Sequence, residues 1–317
     1  MPKVSVIIPV YNAEKFIGNC IQSFERQTLS DFEIIFINDC SGDSSASIIK
    51  DYASRDKRIV FIDMERNVGP MTAREHGYRR AKGDFITFCD SDDTLPERAL
   101  QQMYEMAVEQ KADIVAGNAE YIHLDGTSET WASSVRDNGQ TDGLGALLRG
   151  EMRHNLWAKL FSRNLFDGFS HESIEGLRYF EDYLLMYQLM ERAKKVAVLD
   201  QTVYNYIQTE GSSTQLRMNE KRLDDIVKAH KIVFTMLFPK NELRKDLFAH
   251  NQLYFSRLLA QEPGIKEMLY RKLEEYGLRY LMSNSAILSN NSLPKALKLI
   301  VAKEAGPFLL RMKSNRK

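Results

Sequence analysis

The sequence reads VSVIIPVYN over residues 4–12, close to the amino terminus. Its first seven residues are almost all apolar or β-branched, which is typical of a strand that is covered on both faces. Three more short apolar runs follow, separated by segments whose apolar residues repeat at helical spacing; these runs are residues 33–37, 58–63 and 84–89. Short strands that alternate with helices predict right-handed βαβ units and a mainly parallel sheet.

The helices between these strands are predicted at residues 13–27, 44–54 and 70–81. After Pro96 the spacing predicts helices at 96–110 and 179–194, and strands at 113–117, 120–124, 196–199 and 203–207. Asp125-Gly126 predicts a hairpin turn, and residues 131–143 are polar and typical of a loop. From Arg217 onward the spacing is helical only, so the sequence predicts two domains, 1–213 and 214–317.

The composition is that of a globular protein. Of 317 residues, 44% are hydrophobic and 27% are charged, which is close to the globular average and excludes a mostly disordered chain. No apolar stretch approaches the roughly 20 residues that span a bilayer. Cys20, Cys40 and Cys89 lie outside metal-ligand spacings. The sequence therefore predicts a soluble cytoplasmic protein whose cysteines are free thiols.

The net charge is zero, but basic residues concentrate at the carboxyl end. Between Asn291 and Lys317, seven Lys or Arg residues accompany a single acid, Glu304. A neutral chain with an acidic body argues against general binding of nucleic acid. The mixture of cations and apolar side chains in this tail suits an anionic membrane surface, which would place the protein at the inner face of the membrane. It equally suits a terminal helix packed on its neighbours or a contact in a homo-oligomer.

Three carboxylates follow the fourth apolar strand directly, in the sequence CDSDD of residues 89–93. Carboxylates this close repel one another unless a cation lies among them. Mg²⁺ uses one or two protein carboxylates together with substrate phosphates, so one interpretation is a site for a metal and a diphosphate. The other is a solvated acidic turn before the helix near Pro96, and an Asp-x-Asp motif alone does not decide between the two.

Four segments occur in a fixed order: residues 4–12 (VSVIIPVYN), 37–43 (INDCSGD), 67–83 (NVGPMTAREHGYRRAKG) and 84–93 (DFITFCDSDD). Together they closely resemble the inverting glycosyltransferases of family 2, which have the GT-A fold. The resemblance extends over about residues 1–210 and is densest before residue 95. It implies an α/β, Rossmann-like nucleotide-sugar domain that binds ligands beyond the carboxyl ends of its strands, followed by a small helical domain.

The resemblance implies roles for five residues on the nucleotide side. Pro9 and Tyr11 match residues that pack against the base. Asp39 matches the acid that accepts a hydrogen bond from uracil. Asn67 and Gly69 match the loop before the nucleotide-side helix, where a small residue lets the backbone approach the ligand.

The sequence departs from the family pattern beside Asp39. That pattern has two acids and a Gly, whereas Asn38 and Cys40 stand at two of these places. Arg74 matches the basic residue of the nucleotide-side helix, where it would face the nucleotide. An ion pair with Asp90 or Asp39 is the alternative role for Arg74, and both roles are compatible.

The resemblance also implies roles for residues 90–93, the acidic segment that follows the fourth strand. Asp90 matches a contact to the ribose, and Ser91 lies with it on the nucleotide side. Asp92 matches the ligand of a divalent metal, Mn²⁺ or Mg²⁺. Asp93 is expected either to support that ligand from behind or to lie on the acceptor side.

A second acidic pair, Glu181-Asp182, lies in the sequence YFEDYLL of residues 179–185. At a helix start such a pair often only compensates the helix dipole, but by resemblance Asp182 matches the catalytic base and Glu181 an acceptor contact. The sequence NLWAKLF of residues 155–161 resembles a segment on the acceptor side. Trp157 would there stack on a sugar, or it simply fills the core.

The sequence therefore predicts transfer of a sugar from a UDP-sugar to a hydroxyl of a glycan or glycolipid, as in the synthesis of bacterial surface polysaccharides. Asp182 would remove the acceptor proton, and the metal at Asp92 would neutralise the leaving diphosphate. Residues 208–214 (QTEGSST) resemble a loop that closes over the diphosphate. A sugar-1-phosphate nucleotidyltransferase stays open, although VYNA at residues 10–13 lacks the expected Gly-rich basic loop, and so does a catalytically silent binding module.

Overall fold

The computed structural model describes residues 1–133, 142–169, 177–209 and 217–283. In these residues one sheet is formed by the strands β1 (Val4–Val10), β2 (Phe32–Asn38), β3 (Ile59–Asp63), β4 (Phe85–Phe88), β5 (Ile114–Ile122), β6 (Ser128–Trp131), β7 (Lys159–Ser162) and β8 (Val196–Ile207). The helices are α1 (Ile17–Glu25), α2 (Ser45–Arg55), α3 (Pro70–Arg80), α4 (Ala99–Gln110), α5 (Gly143–Arg149), α6 (Glu181–Arg192), α7 (Glu220–Leu237), α8 (Arg244–Gln261) and α9 (Lys266–Glu275).

The strand order is β3-β2-β1-β4-β7-β5-β6, and β8 pairs in parallel with β5. β1 is parallel to both β2 and β4, and β2 is parallel to β3. β7 is antiparallel to β4 and to β5, and β6 forms the predicted hairpin with β5. The mainly parallel α/β sheet predicted from the sequence is confirmed. Because β2, β1 and β4 are adjacent and parallel, their carboxyl ends lie side by side at one edge.

The strand predicted in two pieces at 113–117 and 120–124 is one continuous strand, β5. Its pairing with β8 shifts register at Gly117 and Asn118. The Asn118 side chain there donates a hydrogen bond to Asp200 at 2.9 Å. The irregular pairing explains the polar interruption that looked like a break between two strands.

Three other elements differ from the prediction. Residues 196–199 and 203–207 also belong to one strand, β8. The strand β7 was not predicted, because four residues are too few to show a periodicity. The helix α5 was not predicted either, since its sequence GLGALLR contains two glycines, which are poor helix formers.

Helix α3 packs closely on the buried strand β1. A Cβ atom on Gly77 would lie 2.4 Å from Cγ2 of Ile7, so only glycine allows this approach. The close packing fixes α3 against the sheet. Its first turn follows the loop that comes from the carboxyl end of β3.

The chain divides into two compact units. The first contains the sheet and draws its described residues from Met1–Gly143, Met152–Glu172 and Leu185–Gln215. The second is helical and draws its described residues from Leu144–Glu151, Ser173–Leu184 and Leu216–Lys317. The simple division at residue 213 stays a prediction.

Some predicted features lie outside the described residues. They are residues 134–141 of the predicted loop, most of the segment 208–214 and the whole basic tail 291–317. In the described part of the chain, no helix combines the length and apolarity needed to cross a bilayer. Cys20 and Cys89 are buried and Cys40 is exposed, and all three are free, as predicted.

Candidate active site

The loops that follow β1 and β2 are joined by hydrogen bonds at the carboxyl edge of the sheet. The Asn12 side-chain oxygen accepts from the Gly42 backbone N–H at 2.9 Å, and the Ser41 hydroxyl accepts from the Asn12 N–H at 3.0 Å. Tyr11 is 56% exposed and the nearby Pro9 is half-buried. The two residues predicted to pack against a base therefore lie at this edge, with the tyrosine ring accessible.

Asp39 follows β2 and is buried. Its carboxylate oxygens accept the backbone N–H groups of Val68 and Gly69, at 2.7 and 2.9 Å. Its carbonyl oxygen accepts from the side chain of Asn67 at 3.2 Å. Asp39 thus orders the loop before α3, a role that the sequence did not show. A carboxylate has about four lone-pair positions, so it can accept a further donor, and the contact to uracil stays a prediction.

Gly69 is required by its backbone conformation. It caps the start of α3 with φ of +85° and ψ of 162°, a region that is essentially restricted to glycine. Among the described residues, no atom outside the adjoining chain comes within 4 Å of a Cβ placed there. The space in front of this loop is therefore open, and the approach of a ligand there stays a prediction.

The structure explains the departure at Asn38, whereas Cys40 lies where the backbone conformation favours glycine. The Asn38 amide donates to Asp63 at 2.7 Å, and this hydrogen bond lowers the pKa of Asp63. An acid at position 38 would instead place two carboxylates together. Cys40 adopts φ of +59°, the left-handed conformation that glycine enters at least cost.

Arg74 joins α3 to the acidic turn. It is only 8% exposed, and its Nη2 lies 3.2 Å from Oδ1 of Asp90, which follows β4. The ion pair that the sequence left open is therefore present. Its contact to a nucleotide remains a prediction.

Asp92 is the second carboxylate of this turn. It is half-buried, and Thr209 donates to its Oδ2 at a long 3.3 Å. Desolvation, together with the negative charge of Asp90, raises the pKa of Asp92. In the described residues no three His, Cys, Asp or Glu side chains are grouped to hold a metal. A cation at Asp92 would therefore need additional oxygen ligands from a substrate.

Asp93 is enclosed behind the turn. Its two oxygens accept from the Tyr204 hydroxyl at 2.6 Å and from the Ile207 N–H at 2.8 Å, and only 1% of the residue is exposed. Burial, with the charges of Asp90 and Asp92, raises the pKa of Asp93 well above its usual range. An acceptor cannot reach a carboxylate enclosed in this way. The structure therefore favours the supporting role for Asp93 over the acceptor-side role.

Tyr204 is a site residue that the sequence did not reveal. Its hydroxyl accepts the Asp90 backbone N–H at 3.0 Å while it donates to Asp93. Burial, with the charge of Asp93, raises the pKa of Tyr204, so the hydroxyl stays protonated and can donate. Tyr204 and Asp93 are separated by 111 residues, and no local pattern could have linked them.

Trp157 lies against this tyrosine. Its ring is parallel to that of Tyr204 within 9°, with centroids 4.9 Å apart, and it stacks on Trp131 at 6.1 Å. One face of Trp157 is therefore used inside the protein, as the core-packing alternative predicts. Stacking on a sugar stays a prediction.

Trp157 also lines a small pocket that is open to solvent. Its wall includes Trp131, Arg153, Asn155 and Lys159, and it is backed by small residues of β5. The Arg153 guanidinium lies 3.7 Å from the centre of the Trp131 ring. Aromatic walls with a few polar groups suit a carbohydrate.

The polar wall of this pocket is ordered by two hydrogen bonds. The buried Lys159 ammonium donates to the Asn155 carbonyl at 2.7 Å, and the Asn155 amide donates to the Trp157 carbonyl at 2.6 Å. Desolvation, with the charges of Lys159 and Arg153, lowers the pKa of His154 to about 4. His154 is therefore neutral near pH 7 and adds no positive charge beside the pocket.

Glu181 and Asp182 form the first turn of α6, as the sequence predicted for an acidic pair at a helix start. Glu181 is buried and Asp182 is half-buried. Asp182 Oδ1 accepts from the backbone N–H of Tyr183 at 2.7 Å. Both residues belong to the helical unit. Their roles as catalytic base and acceptor contact stay predictions.

Comparison with protein families agrees with this geometry. Residues 5–169 match the model of glycosyl transferase family 2. The chain belongs to this family.

Individual relatives match over different lengths. An uncharacterized glycosyltransferase of Bacillus subtilis strain 168, EpsJ, is 33% identical over 228 residues, which are 68% of this chain and 64% of EpsJ. Glycosyltransferase GlyA of Streptococcus pneumoniae serotype 4 is 30% identical over 313 residues, 94% of this chain and 43% of GlyA. The chain thus spans less than two thirds of the length of either relative.

A solved structure shows the same fold. The crystal structure of S. aureus TarS residues 1–349 in complex with UDP-GlcNAc has a TM-score of 0.74 to this chain. It is 19% identical and covers 95% of this chain and 87% of that one. The GT-A fold expected from the sequence is confirmed.

Proposed function

We propose that this chain transfers a sugar from a UDP-sugar to a hydroxyl group of a glycan or lipid-linked glycan, with inversion at the anomeric carbon. The observation that carries the proposal is the gathering of Asp39, Arg74, Asp90 and Asp92 at one edge of a parallel sheet. This edge is where α/β folds bind nucleotides. The complex of TarS with UDP-GlcNAc, a protein of the same fold, supports the choice of donor.

The nucleotide-side loops would hold the uridine. The accessible ring of Tyr11 would stack on the base, and Asp39 would accept a hydrogen bond from it while it orders the loop at Gly69. The open space before Gly69 leaves room for the ligand. Asp90 would contact the ribose, with Ser91 beside it, and its ion pair with Arg74 keeps that carboxylate in place.

The acidic turn suits a hard divalent cation. Asp92 offers a carboxylate whose ionised form is destabilised by desolvation and by Asp90, and a cation would remove that cost. Mn²⁺ or Mg²⁺ bound there would neutralise the charge that develops on the leaving diphosphate. Asp93 and Tyr204 would keep the turn in shape behind it.

Asp182 would act as the base. In a single displacement, the acceptor hydroxyl attacks the anomeric carbon, its proton passes to the Asp182 carboxylate, and the bond from that carbon to the UDP oxygen breaks. Glu181 would assist in holding the acceptor. The pocket beside Trp157 and Trp131 is the proposed place for the glycan that carries this hydroxyl.

A donor screen would test the proposal. We expect UDP-glucose, UDP-galactose or one of their N-acetyl forms to raise the thermal transition of the protein, and to do so only with Mn²⁺ or Mg²⁺. The same donor should release UDP slowly, with water as the acceptor. Failure of every UDP-sugar to shift the transition would refute the choice of donor. Release of pyrophosphate would identify a nucleotidyltransferase instead.

The variant Asp182→Asn tests the base. It should keep metal-dependent UDP binding and lose transfer by a factor of about 100 or more. The exposed Asp51 on α2 provides a matched control as Asp51→Asn, which should behave as the wild type. Full turnover in Asp182→Asn would remove this residue from the mechanism. Donor binding with no UDP release in the wild type would indicate a silent binding module.

A further inference from the structure

The start of α6 is surrounded by aromatic and imidazole rings within the helical unit. We call this group the histidine cage, and its members are Phe180, Tyr183, His230, His250 and Tyr254. The His230 ring is central: its centroid lies 4.7 Å from that of Tyr183 and 4.4 Å from that of Tyr254. Tyr183 and His230 are fully buried. The proposed reaction assigns no role to any of these five side chains.

The hydrogen bonds of the cage fix the position of the proton on His250. Its Nδ1 lies 3.1 Å from the carbonyl oxygen of Leu148, which can only accept, so Nδ1 carries the hydrogen. In the neutral ring Nε2 is then an acceptor. The Tyr183 hydroxyl, 3.2 Å away, donates to it.

The same reasoning fixes His230. The Asn251 amide nitrogen donates to the Leu247 carbonyl at 2.8 Å, so the amide oxygen points to His230 Nδ1, 3.0 Å away. His230 Nδ1 must therefore carry a hydrogen. This N–H also lies 3.3 Å from the Tyr183 oxygen, which accepts it. The Tyr183 hydroxyl is thus held by one histidine on α7 and another on α8.

The backbone next to this cage is strained. Phe180 adopts φ of +67°, which is unfavourable for a bulky residue and persists only where the surroundings impose it. Its ring is in contact with Tyr183 at 5.0 Å, His230 at 5.7 Å and Tyr254 at 5.3 Å between centroids. These three rings of the cage therefore supply the contacts that hold Phe180 in this conformation.

In the sequence, Asp182 lies between Phe180 and Tyr183, which are both members of the cage. It follows Phe180 by two positions, and its carboxylate accepts the N–H of Tyr183. Tyr254 is close enough for the charge of Asp182 to add to burial in raising the pKa of the Tyr254 hydroxyl. The conformation of Asp182 is thus coupled to the cage on both sides.

We propose that the histidine cage positions Asp182 for proton removal, with His230 as the central positioning residue. This inference rests on the proposed function, in which Asp182 is the base. Holding a reacting group in place is a large part of catalysis, and a misplacement of about 1 Å can cost about 100-fold in rate.

Two substitutions of His230 test the inference. His230→Leu removes the Nδ1–H donor, and we expect kcat to fall about 10- to 100-fold, with the KM for the donor and metal-dependent UDP binding unchanged. His230→Asn keeps an N–H near the place of Nδ1 and should recover most of kcat. His123→Leu, in the hairpin of the other unit, is the control and should leave kcat unchanged. Rates are expressed per folded protein, measured by near-UV circular dichroism.

Tyr183→Phe gives a second route if His230→Leu does not fold. It keeps the ring contacts, removes the hydroxyl that both histidines hold, and should lower kcat several-fold with an unchanged donor KM. An unchanged kcat in folded Tyr183→Phe would overturn the inference. So would equal losses in His230→Asn and His230→Leu.

A double-mutant cycle separates this inference from the proposed function. If the cage acts through Asp182, then His230→Leu should lower the residual rate of Asp182→Asn much less than it lowers that of the wild type. Additive losses would overturn the inference while leaving Asp182 as the base. Full activity of Asp182→Asn alone would remove the proposed base, and with it the basis of the inference.

Discussion

Asp39 comes after β2 and Asp92 comes after β4, both at the carboxyl edge of the sheet. The surroundings of the two carboxylates are opposite. The Asp39 carboxylate is buried and accepts two backbone N–H groups, so its charge is compensated by the protein itself. The Asp92 carboxylate accepts a long hydrogen bond from Thr209, but desolvation and the repulsion of Asp90 raise its pKa. The first carboxylate holds a loop together, and the second lacks compensation that a cation could provide.

This difference separates a carboxylate that contributes to stability from one that is expected to contribute to activity. Replacing a charge that the protein compensates leaves donors without partners and costs stability. Replacing a charge that the protein leaves uncompensated removes a repulsion and should cost only function. Substitution of Asp39 should therefore lower the stability of the protein, and substitution of Asp92 should raise it.

The largest expected effect is the loss of sugar transfer in the variant Asp92→Asn. We expect the rate to fall by a factor of about 100 or more, because the proposed cation at the leaving diphosphate would lose its protein carboxylate. The measurement is metal-dependent UDP release, with UDP binding followed at several Mn²⁺ concentrations. An Asp92→Asn protein that keeps the wild-type response to Mn²⁺ would show that the metal binds elsewhere.

The same variant should be more stable than the wild type without metal. The folded-state pKa of Asp92 is raised above its unfolded value of about 3.9. Its contribution to stability is therefore complete below that value and is lost as the pH rises through the folded-state pKa. We expect the thermal transition of Asp92→Asn to exceed that of the wild type near pH 7, and this advantage to shrink towards pH 4.

Asp39→Ala should show the opposite sign. It leaves the N–H groups of Val68 and Gly69 without their acceptor, which should lower the free energy of unfolding by about 2–4 kcal/mol. Asp39→Asn keeps one acceptor oxygen and should lose less. Urea unfolding is the measurement, and Asp31→Ala, an exposed aspartate before β2, is the control. A stability of Asp39→Ala equal to that of Asp31→Ala would contradict this role.

Tyr204→Phe should have a smaller effect on the acidic turn. It keeps the ring stacked on Trp157 but removes the partner of the Asp90 N–H and of Asp93, with an expected loss of about 1–3 kcal/mol. Because the turn carries Asp92, the affinity for Mn²⁺ in the presence of UDP should also fall. Tyr121, on β5, stacks on Trp131, and Tyr121→Phe is the control for loss of a tyrosine hydroxyl near this site. Equal Mn²⁺ affinity in the two variants would refute the link.

Cys40→Gly should give the smallest effect, and a favourable one. At φ of +59° a side chain is disfavoured, so glycine should stabilise the folded state, by up to about 1 kcal/mol after its greater entropy in the unfolded chain is subtracted. The urea midpoint of this variant measures the gain. A lower midpoint would mean that the Cys40 side chain makes contacts worth more than the strain.

The sequence predicted the features whose signals are local. β1 to β4 come from continuous apolar runs, and their bounds shift by at most one residue in the structure. The loops after β1, β2 and β4 are likewise marked by polar residues that directly follow a strand. Motif order along the chain then sufficed to place Tyr11, Asp39 and Asp92 at one edge.

The features that the sequence missed depend on distant contacts. The enclosure of Asp93 comes from Tyr204 and Ile207, which are more than a hundred residues away. The hydrogen bonds by which Asp39 orders the loop before α3 were not predicted, because its backbone partners lie about 30 residues later in the chain. Spacing along the chain carries no information about such partners.

The pocket beside Trp157 shares no lining residue with the loops at Tyr11, Asp39 or Asp92. Its walls come from residues 116–119, 131–133 and 152–159. If this pocket receives the glycan, as proposed, then the residues that select the acceptor and the residues that bind the donor belong to separate segments of the chain. Exchanging residues 152–158 between homologues would then be a practical way to redirect such an enzyme to a new glycan while its donor is retained.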